Sequence, residues 1–441
     1  MNKKLEVYDD LTKEAFTYIN HVCDRYGPRI SGTIEEQEAL EELEKKMRSF
    51  ADFTYFDSFK VYPTFYPRGF VTIFGIFVIF GAVFFLFKDS WCFLSLLLPL
   101  FALFILFISL VKMKYWFALF SKKGVSHNAI ARILPCVDQE IRTSKKKVMI
   151  VGHMDSAFQM KITRFGDKSM LFFAVSIIYT VLIMFLTVIK LILIQFNMQY
   201  LFSYWIFGIS WIDIVFILIT IFLFPILIIT LHGFSGGIPV LGANDNLSGV
   251  ALALIIGKYF TQSENRLHNI ELWVGAFGSE ECGERGSQYF IEKYGAMGLL
   301  DKNSIAVIPE SIGAGTDLAI LTKEMMHLAS HNLEICGKIE RAYHSLIKEV
   351  GQEAVVSCRI APELKMGASD GGRFALAGYD SSTLLGYEGS IMKPANWHDL
   401  TDDPQHLSHK TFRTAIAIYI HFIRNLDEEL ERERSSIQQD A

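Results

Sequence analysis

The chain has 441 residues, 51% of them hydrophobic and 37 of them phenylalanine, and a formal net charge of −5. Single cores seldom grow past roughly 250–300 residues, and this composition is more apolar than that of an ordinary soluble enzyme, so we expect membrane segments beside a catalytic domain. The modest charge, without a basic stripe of interleaved aromatics, argues against nucleic acid as a partner.

The amino-terminal residues and the cysteines point to a reducing environment. The sequence begins MNKKLEVYDD, which is charged and has no apolar run, so we expect no signal peptide. The six cysteines are scattered without CxxC spacing, and Cys92 lies inside an apolar run. Free thiols are therefore expected rather than disulfides.

In chain order, the polar segments alternate between helical and strand patterns. The predicted helices cover residues 11–25, 35–50, 247–260, 285–294 and 405–430. The predicted strands cover residues 53–62, 128–134, 147–151, 270–277, 304–309 and 355–360. This alternation predicts an α/β fold with a mixed, mostly parallel β-sheet flanked by helices.

Four apolar runs interrupt this pattern, at residues 69–87, 91–111, 169–190 and 204–231. Each is about as long as the roughly 20 helical residues that span a bilayer, which disfavours the alternative of buried core helices. Short turns at residues 88–90 and 195–203 pair the runs, so the sequence predicts four transmembrane helices inserted as two hairpins. Two charged residues, Lys190 and Asp213, lie near span ends, where snorkelling would suffice.

Positive charges flank the hairpins on the side of the catalytic domain, at Arg68, Lys112, Lys114, Lys122, Lys123, Lys161, Arg164 and Lys168. By the positive-inside rule, this predicts a multi-pass protein of the cell membrane with its catalytic domain on the cytoplasmic side. The predicted division assigns the catalytic domain to residues 1–66, 126–160 and 232–431, the hairpins to residues 67–125 and 161–231, and a disordered tail to residues 432–441.

Histidine and carboxylate residues follow the predicted strands. His153 in VGHMDS, the adjacent pair Glu280 and Glu281, and Glu310 each come at or just after the end of a buried strand. Open α/β sheets build their sites at the carboxyl ends of strands, so these side chains are expected to converge. The adjacent carboxylates repel each other unless a cation compensates, although a solvated helix start is the alternative for this pair alone.

Two further candidates lie in loops. Asp245 stands in the segment GANDNLSG, and His398 in NWHDL lies before the last predicted helix. A plain turn would explain Asp245 alone, and a lone histidine is most often structural. Together with His153, Glu281 and Glu310, however, these two residues supply the nitrogen and carboxylate ligands of a two-metal hydrolase. Asp155 can accept the far ring N–H of His153, and Glu280 can take a proton from water.

The set HMDS, GANDNLSG, a Glu–Glu pair, a later acid and a late histidine resembles the co-catalytic zinc exopeptidases of the aminopeptidase and glutamate carboxypeptidase family. The resemblance covers about residues 5–66, 126–160 and 232–427. It implies a zinc-dependent exopeptidase that holds two Zn²⁺ ions and acts on peptides.

The resemblance also implies a role for each residue of the set. The zinc ligands would be one bridging carboxylate and two pairs, namely Asp245 as the bridge, His153 with Glu310, and Glu281 with His398. Glu280 would act as general base and then as general acid, Asp155 would hold the ring of His153, and the peptide bond after Asp245 would be cis.

Three positions depart from the family pattern. Glu310 stands where many relatives have aspartate, and Trp397 stands where several carry a tyrosine that helps to stabilise the oxyanion. In GASDGGRF, Gly371 stands where histidine is common. Asp370 or Arg373 in this segment could touch a substrate terminus, with helix capping as the alternative.

The implied function is a membrane-embedded dizinc metallopeptidase that hydrolyses terminal peptide bonds, with aminopeptidase activity favoured over carboxypeptidase activity. Apolar or membrane-associated peptides are the expected substrates if the hairpins guide them, and a simple anchor is the alternative. A single-zinc acyltransferase that cyclises glutaminyl peptides is a second candidate, which metal stoichiometry would separate. A non-catalytic, receptor-like protein is disfavoured because every ligand position is filled. The sequence leaves the oligomeric state open.

Overall fold

The computed structural model describes residues 3–87, 89–118, 121–136, 146–166, 168–196, 198, 210–234, 236–361, 364, 367–389 and 393–440. The chain forms two compact units. The sheet unit comprises Met1–Pro63, Lys123–Gln159 and Ile238–Ala441, and the helical unit comprises Thr64–Lys122 and Met160–Gly237. Each unit is thus assembled from segments that are separated in the sequence.

The described helices are α1 (Lys3–Tyr26), α2 (Ile34–Met47), α3 (Phe70–Phe85), α4 (Leu94–Leu106), α5 (Lys168–Gln195), α6 (Trp211–Phe234), α7 (Leu247–Thr261), α8 (Arg285–Ala296), α9 (Leu333–Val350), α10 (Asp370–Leu376) and α11 (His409–Asp440). The described strands are β1 (Phe53–Val61), β2 (Gly124–Ile133), β3 (Lys146–His153), β4 (Ile270–Phe277), β5 (Ser304–Glu310), β6 (Asp317–Leu321), β7 (Lys323–Glu324), β8 (Ala329–Ser330), β9 (Ser357–Ala361), β10 (Asp380–Glu388) and β11 (Lys393–Pro394).

The sheet unit is built on one mixed sheet with the strand order β1-β2-β4-β3-β5-β10-β6-β9, and β11 pairs with β10. Its centre, β4-β3-β5-β10, is parallel, which confirms the predicted α/β class. The register places His153 opposite Phe277 and Glu310 opposite Leu385. The carboxyl ends of β3, β4 and β5 therefore meet at one edge of the sheet, as their parallel direction requires.

The central strands are covered on both faces. Every residue of β4 is buried, which explains why its sequence IELWVGAF is a nearly continuous apolar run. On one face, Leu247–Gly257 of α7 is buried without interruption. On the other face, Trp273 and Phe277 of β4 pack with Phe290 of α8 and Phe374 of α10.

Parts of the sheet unit differ from the sequence expectation. The sequence patterns indicated neither α9 nor β10, although α9 is amphipathic over 18 residues and β10 has 9 residues. They also did not indicate the strands from β6 to β8, which have two to five residues and are too short for a clear alternation. The predicted disordered tail at residues 432–441 is wrong for its described part, since α11 continues to Asp440. Alternating acidic and basic residues in EELERERSS favour this extension through pairs on one helix face.

The helical unit contains α3, α4, α5 and α6. Among the residues that the structure describes, three helices are long and apolar enough to cross a membrane, namely Trp91–Val111, Lys168–Gln195 and Trp211–Phe234. The fourth predicted span forms the shorter apolar helix Phe70–Phe85 of 16 residues. The predicted turns fall largely outside the described residues, at residue 88 in the first hairpin and at residues 197 and 199–203 in the second.

Polar contacts tie the helices of this unit together. The Lys190 ammonium lies 2.8 Å from Asp213 Oδ1 and also donates to the backbone carbonyls of Phe85 and Phe87. The expectation that both charges snorkel independently is therefore wrong, because the side chains form an ion pair. A Cβ on Gly81 would lie 2.5 Å from the ring of Pro99, so this glycine permits the close approach of α3 and α4.

Candidate metal centre

The centre of the site is one carboxylate placed between two imidazoles. His153 ends β3, and Asp245 lies in the loop that opens α7. Asp245 Oδ1 is 3.3 Å from His153 Nε2, and Asp245 Oδ2 is 3.4 Å from His398 Nε2. All three residues are buried. Asp245 can therefore offer one oxygen to each of two neighbouring cations.

The remaining predicted ligands complete two half-sites. Glu310 Oε1 lies 3.9 Å from His153 Nε2, and Glu281 Oε1 lies 3.1 Å from His398 Nε2. Ligand atoms of His153, Asp245 and Glu281 all lie within 4.8 Å of one another. The structure thus brings together all five residues that the sequence suggested as metal ligands.

The donor set fits bound zinc. Neither Asp245 Oδ2 nor Glu281 Oε1 makes a hydrogen bond within the described residues, and both atoms are buried. Buried carboxylate oxygens are costly unless a partner or a cation compensates them. Imidazole nitrogens and carboxylate oxygens are also the ligands of catalytic zinc. The orphaned atoms therefore lie where metal ions would satisfy them.

Asp155 organises the acidic pair as well as the histidine. Its carboxylate accepts the backbone N–H groups of Glu280 and Glu281, each at 3.0 Å. It also accepts the hydroxyl of Ser31 at 2.6 Å. The ring nitrogen Nδ1 of His153 lies 3.1 Å from the backbone carbonyl oxygen of Asp155 and 3.5 Å from its Oδ1. Asp155 therefore fixes a ring on β3 through its backbone and the turn that follows β4 through its carboxylate.

The backbone around the site adopts unusual conformations. Positive φ angles occur at Ser279 (53°), Glu284 (54°), Ser311 (50°) and His398 (52°), each within four residues of a proposed ligand or the proposed base, or at a ligand itself. Non-glycine residues pay for this conformation, and such strain clusters at functional sites. The Asp245–Asn246 peptide is cis, as the resemblance implies.

Asn246 and Asp402 hold the loop that carries Asp245. The Asn246 amide donates to the carbonyl of Pro309 at 2.8 Å, while its oxygen accepts the backbone N–H of Ser311 at 3.2 Å. Asp402 accepts the backbone N–H groups of Asn244 at 2.6 Å and of Asp245 at 3.1 Å. The loop is therefore fixed to the end of β5 and to the segment after His398.

Sequence reasoning missed Asp402, Ser31 and a third supporting residue, Arg29. Arg29 is fully buried, and its guanidinium donates to the carbonyls of Met154 and Gly242 at 2.9 and 3.3 Å. None of the three stands in a recognisable motif. Only their distant partners reveal what they do.

The pKa values reflect crowded negative charge. Burial raises the pKa of Glu280 well above its usual range, and Glu281 adds to the effect while His153 opposes it. Burial also raises the pKa of Glu310, with a further contribution from Asp245. Burial would lower the pKa of His398, but Glu281 and Asp245 outweigh it and raise that pKa to about 10. The protein's own groups therefore do not fully compensate the carboxylates at this edge of the sheet, and bound cations would do so.

The substrate-side candidates from the sequence occupy defined positions. The ring of Trp397 lies with its centroid 4.5 Å from that of His398, beside the proposed metal centre. Arg373 Nε lies 2.7 Å from Glu284 Oε2. Asp370 is the first residue of α10, whose N-cap is Ser369. The helix-capping alternative is therefore not supported for either Asp370 or Arg373.

Comparison with solved structures shows similarity of fold. A zinc aminopeptidase from Bacillus subtilis aligns with a TM-score of 0.52 and 12% identity, over 94% of this chain and 95% of that chain. A glutaminyl cyclase from Bacteroides thetaiotaomicron aligns with a TM-score of 0.52 and 14% identity, over 94% and 97%. A leucine aminopeptidase precursor from Bacteroides thetaiotaomicron gives 0.50 and 15%, also over 94% and 97%.

Sequence comparison adds the family. A search of curated protein sequences finds no match. Residues 228–423 match the model of Peptidase family M28, a segment that contains Asp245, Glu280, Glu281, Glu310 and His398. This segment is therefore similar to peptidase family M28, and with the zinc-type donor set at the sheet edge the match supports a zinc-dependent exopeptidase.

Proposed function

We propose that this protein is a membrane-embedded aminopeptidase that uses two zinc ions to hydrolyse amino-terminal peptide bonds. The observation that carries the proposal is the position of Asp245, whose two oxygens lie 3.3 and 3.4 Å from the ring nitrogens of His153 and His398. Asp245 would bridge the ions, with Glu310 completing the half-site of His153 and Glu281 that of His398.

Bound zinc would supply Lewis acidity at the scissile carbonyl and lower the pKa of a water molecule. Glu280 is placed to accept the proton of that water, because its carboxylate lies 3.8 Å from His153 Nε2. Burial raises the pKa of Glu280, which makes the carboxyl group a better proton acceptor near neutral pH. It can then donate this proton to the leaving amine. Asp155 keeps Glu280 in place through the backbone N–H.

A single-zinc glutaminyl cyclase activity is the competing candidate, since such cyclases share the fold. Two features favour two ions over one. The half-sites are alike, each pairing a histidine with a glutamate across Asp245. Orphaned buried oxygens occur both at Asp245 and at Glu281, within the part of the chain that the structure describes.

The membrane part of the proposal rests on the three long apolar helices. We place the protein in the cell membrane as a multi-pass protein, with the positive flanking residues and the catalytic domain on the cytoplasmic side. Apolar or membrane-associated peptides are the substrates that we propose for a peptidase with such helices.

The test is activity and metal content measured on the same detergent-purified protein. We expect about two zinc ions per chain, release of amino acids from fluorogenic amino-acid amides, and no cleavage of N-capped dipeptides. A chelator should abolish turnover, and added zinc should restore it. One zinc ion per chain with cyclisation of glutaminyl peptides would instead establish the cyclase. Comparing soluble peptides with lipid-embedded peptides of the same amino terminus tests the membrane part, and equal rates would refute it.

A further inference from the structure

A second group of charged side chains lies close to the metal centre. It involves the start of α8, the hairpin of β7 and β8, and the start of α10, and its members are Glu284, Glu324, His327, His331, Asp370 and Arg373. All of them except Arg373 are buried. The role proposed above for the metal centre uses none of these residues.

The positive charge of Arg373 is compensated by the carboxylate of Glu284. Its Nε lies 2.7 Å from Glu284 Oε2, and its Nη2 donates to the carbonyl of Gly283 at 3.3 Å. The other oxygen of Glu284 lies 2.9 Å from His327 Nε2. The guanidinium is thus held by neighbouring groups and is poorly placed to receive a substrate carboxylate.

Glu324 fixes the start of α10. Its carboxylate accepts the backbone N–H of Ser369 at 2.9 Å and the Ser369 hydroxyl at 2.6 Å. A Cβ on Gly372 would lie 2.4 Å from Glu324 Oε2, and one on Gly371 would lie 2.2 Å from Thr383 Oγ1. Both glycines are therefore required for this close packing. The start of α10 is therefore packed closely against Glu324 and Thr383.

The residue that this arrangement positions is Asp370. It is 1% exposed, and neither of its carboxylate oxygens has a hydrogen-bond partner among the described residues. The nearby Ser287 hydroxyl donates to the carbonyl of Glu284 at 3.3 Å and is also close enough to Asp370 to lower the pKa of its carboxyl group. A buried carboxylate in this situation is costly unless a ligand supplies donors.

Asp370 lies at the edge of the metal centre. Ser369 is bonded through its hydroxyl to Thr383 of β10 at 2.8 Å, and Thr383 pairs with Ile308, two residues before Glu310. The Asp370 carboxylate is also close enough to raise the pKa values of Glu280 and Glu310. It therefore places a further acid next to the proposed base, and burial raises the pKa of Asp370 itself to about 7 while His153 opposes this shift.

We propose that Asp370 is the subsite that binds the protonated α-amine of a substrate's free amino terminus. This inference rests on the aminopeptidase function proposed above and names the residue that selects its substrates. An ammonium group offers three donors and a positive charge, which a buried, unpartnered carboxylate complements. A substrate carboxylate would be repelled at the same position, while Arg373 is occupied by Glu284. The charge arrangement accordingly selects amino termini over carboxyl termini.

Two hydroxamate inhibitors that differ only in the amine test this assignment on the zinc-loaded protein. Leucine hydroxamate carries the α-amine, and 4-methylpentanohydroxamate lacks it. In Asp370→Asn, we expect the affinity for leucine hydroxamate to fall by about tenfold to hundredfold, the effect of losing a charged hydrogen bond. The affinity for 4-methylpentanohydroxamate should stay within about twofold, because general damage to the metal centre would weaken both.

Two further variants complete the experiment. Asp370→Glu keeps the charge and should restore part of the preference for the amine. Asp301→Asn removes a carboxylate before the amino end of β5, where Asp301 pairs with Lys147, and should leave both affinities unchanged. If Asp370→Asn does not fold, as judged by thermal unfolding, Asp370→Ser takes its place as the variant that removes the carboxylate, and an unaltered affinity ratio in it overturns the proposal.

The outcomes separate this inference from the proposed function. An Asp370→Asn variant that prefers leucine hydroxamate as strongly as the unmodified protein would overturn the subsite while leaving the aminopeptidase intact. Absence of both inhibition and amino-acid release in the zinc-loaded, unmodified protein would overturn the aminopeptidase itself, and the subsite with it.

Discussion

The helical unit and the sheet unit differ in whether their buried charged side chains have partners within the protein. In the helical unit, Lys190 meets Asp213 and two backbone carbonyls, so each charge has a partner within its own unit. In the sheet unit, Asp245 and Glu281 keep buried oxygens without hydrogen bonds among the described residues. A satisfied ion pair stabilises a structure, whereas buried charge left without a protein partner indicates that something else binds there.

The sheet unit itself contains both kinds of carboxylate. Asp155 and Asp402 are buried but accept backbone N–H groups, and they hold the segments that carry Glu280 and Asp245. These supporting carboxylates are satisfied by the chain, while the proposed ligands are not. A buried carboxylate thus positions a neighbouring segment when the chain satisfies its hydrogen bonds, and is available to bind a ligand when the chain does not.

The largest effect is expected from Glu280→Gln, which should remove catalysis without removing the bound zinc. Glutamine cannot accept the proton, so kcat should fall by about 10³-fold. Zinc content should remain at two ions per chain, because the proposed ligands are untouched. Turnover of an amino-acid amide and elemental analysis of the same sample check both statements. A metal-loaded variant with full activity would remove Glu280 from its role.

Asp245→Asn addresses the orphaned carboxylate directly. The amide has one oxygen and no charge, so it cannot serve both half-sites, and the zinc content should fall from two ions to less than one per chain. Asp301→Asn is the matched control, since it removes a carboxylate at the opposite end of β5 and should retain both ions. Retention of two ions by Asp245→Asn would contradict its bridging position.

The helical unit offers the complementary test. Lys190→Met leaves Asp213 buried without its cation, and removing one partner of a buried pair costs about 3–5 kcal/mol. The unfolding transition of that unit in detergent should shift accordingly, and the double change Lys190→Met with Asp213→Leu should recover much of the loss. Zinc content should not change in either variant. A single variant as stable as the parent would mean that the pair contributes little.

The smallest effect concerns a supporting hydrogen bond. Ser31→Ala removes the hydroxyl that Asp155 accepts at 2.6 Å, which is worth about 1 kcal/mol. We expect kcat/KM to fall about fivefold, since the acidic pair is held less firmly. Thr33→Ala is the control, because the Thr33 side chain caps α2 and its loss should cost about 1 kcal/mol of stability without affecting kcat/KM. Equal kinetic losses in both variants would show that Ser31 acts only through stability.

Three of the proposed ligands, His153, Glu281 and Glu310, could be predicted because they follow buried strands, whereas Asp245 and His398 were candidates only together with them. His153 and Glu310 end buried strands, and parallel strands bring their carboxyl ends to one edge wherever they pair. The strands from β6 to β8 could not be predicted, since two to five residues carry too little periodicity. The tail was misread for a related reason, because a charged composition does not distinguish an exposed helix from a disordered segment.

The sequence by itself determined the α/β class, the apolar helices and the candidate ligand set, because strand alternation, helix length and residue chemistry are local properties. Only the tertiary structure decided which charges are satisfied. Asp402 receives N–H groups from residues more than 150 positions away, Arg373 is neutralised by Glu284, and Asp370 is left without a partner in the described chain. Those outcomes depend on distances across the folded sheet, which no local pattern encodes.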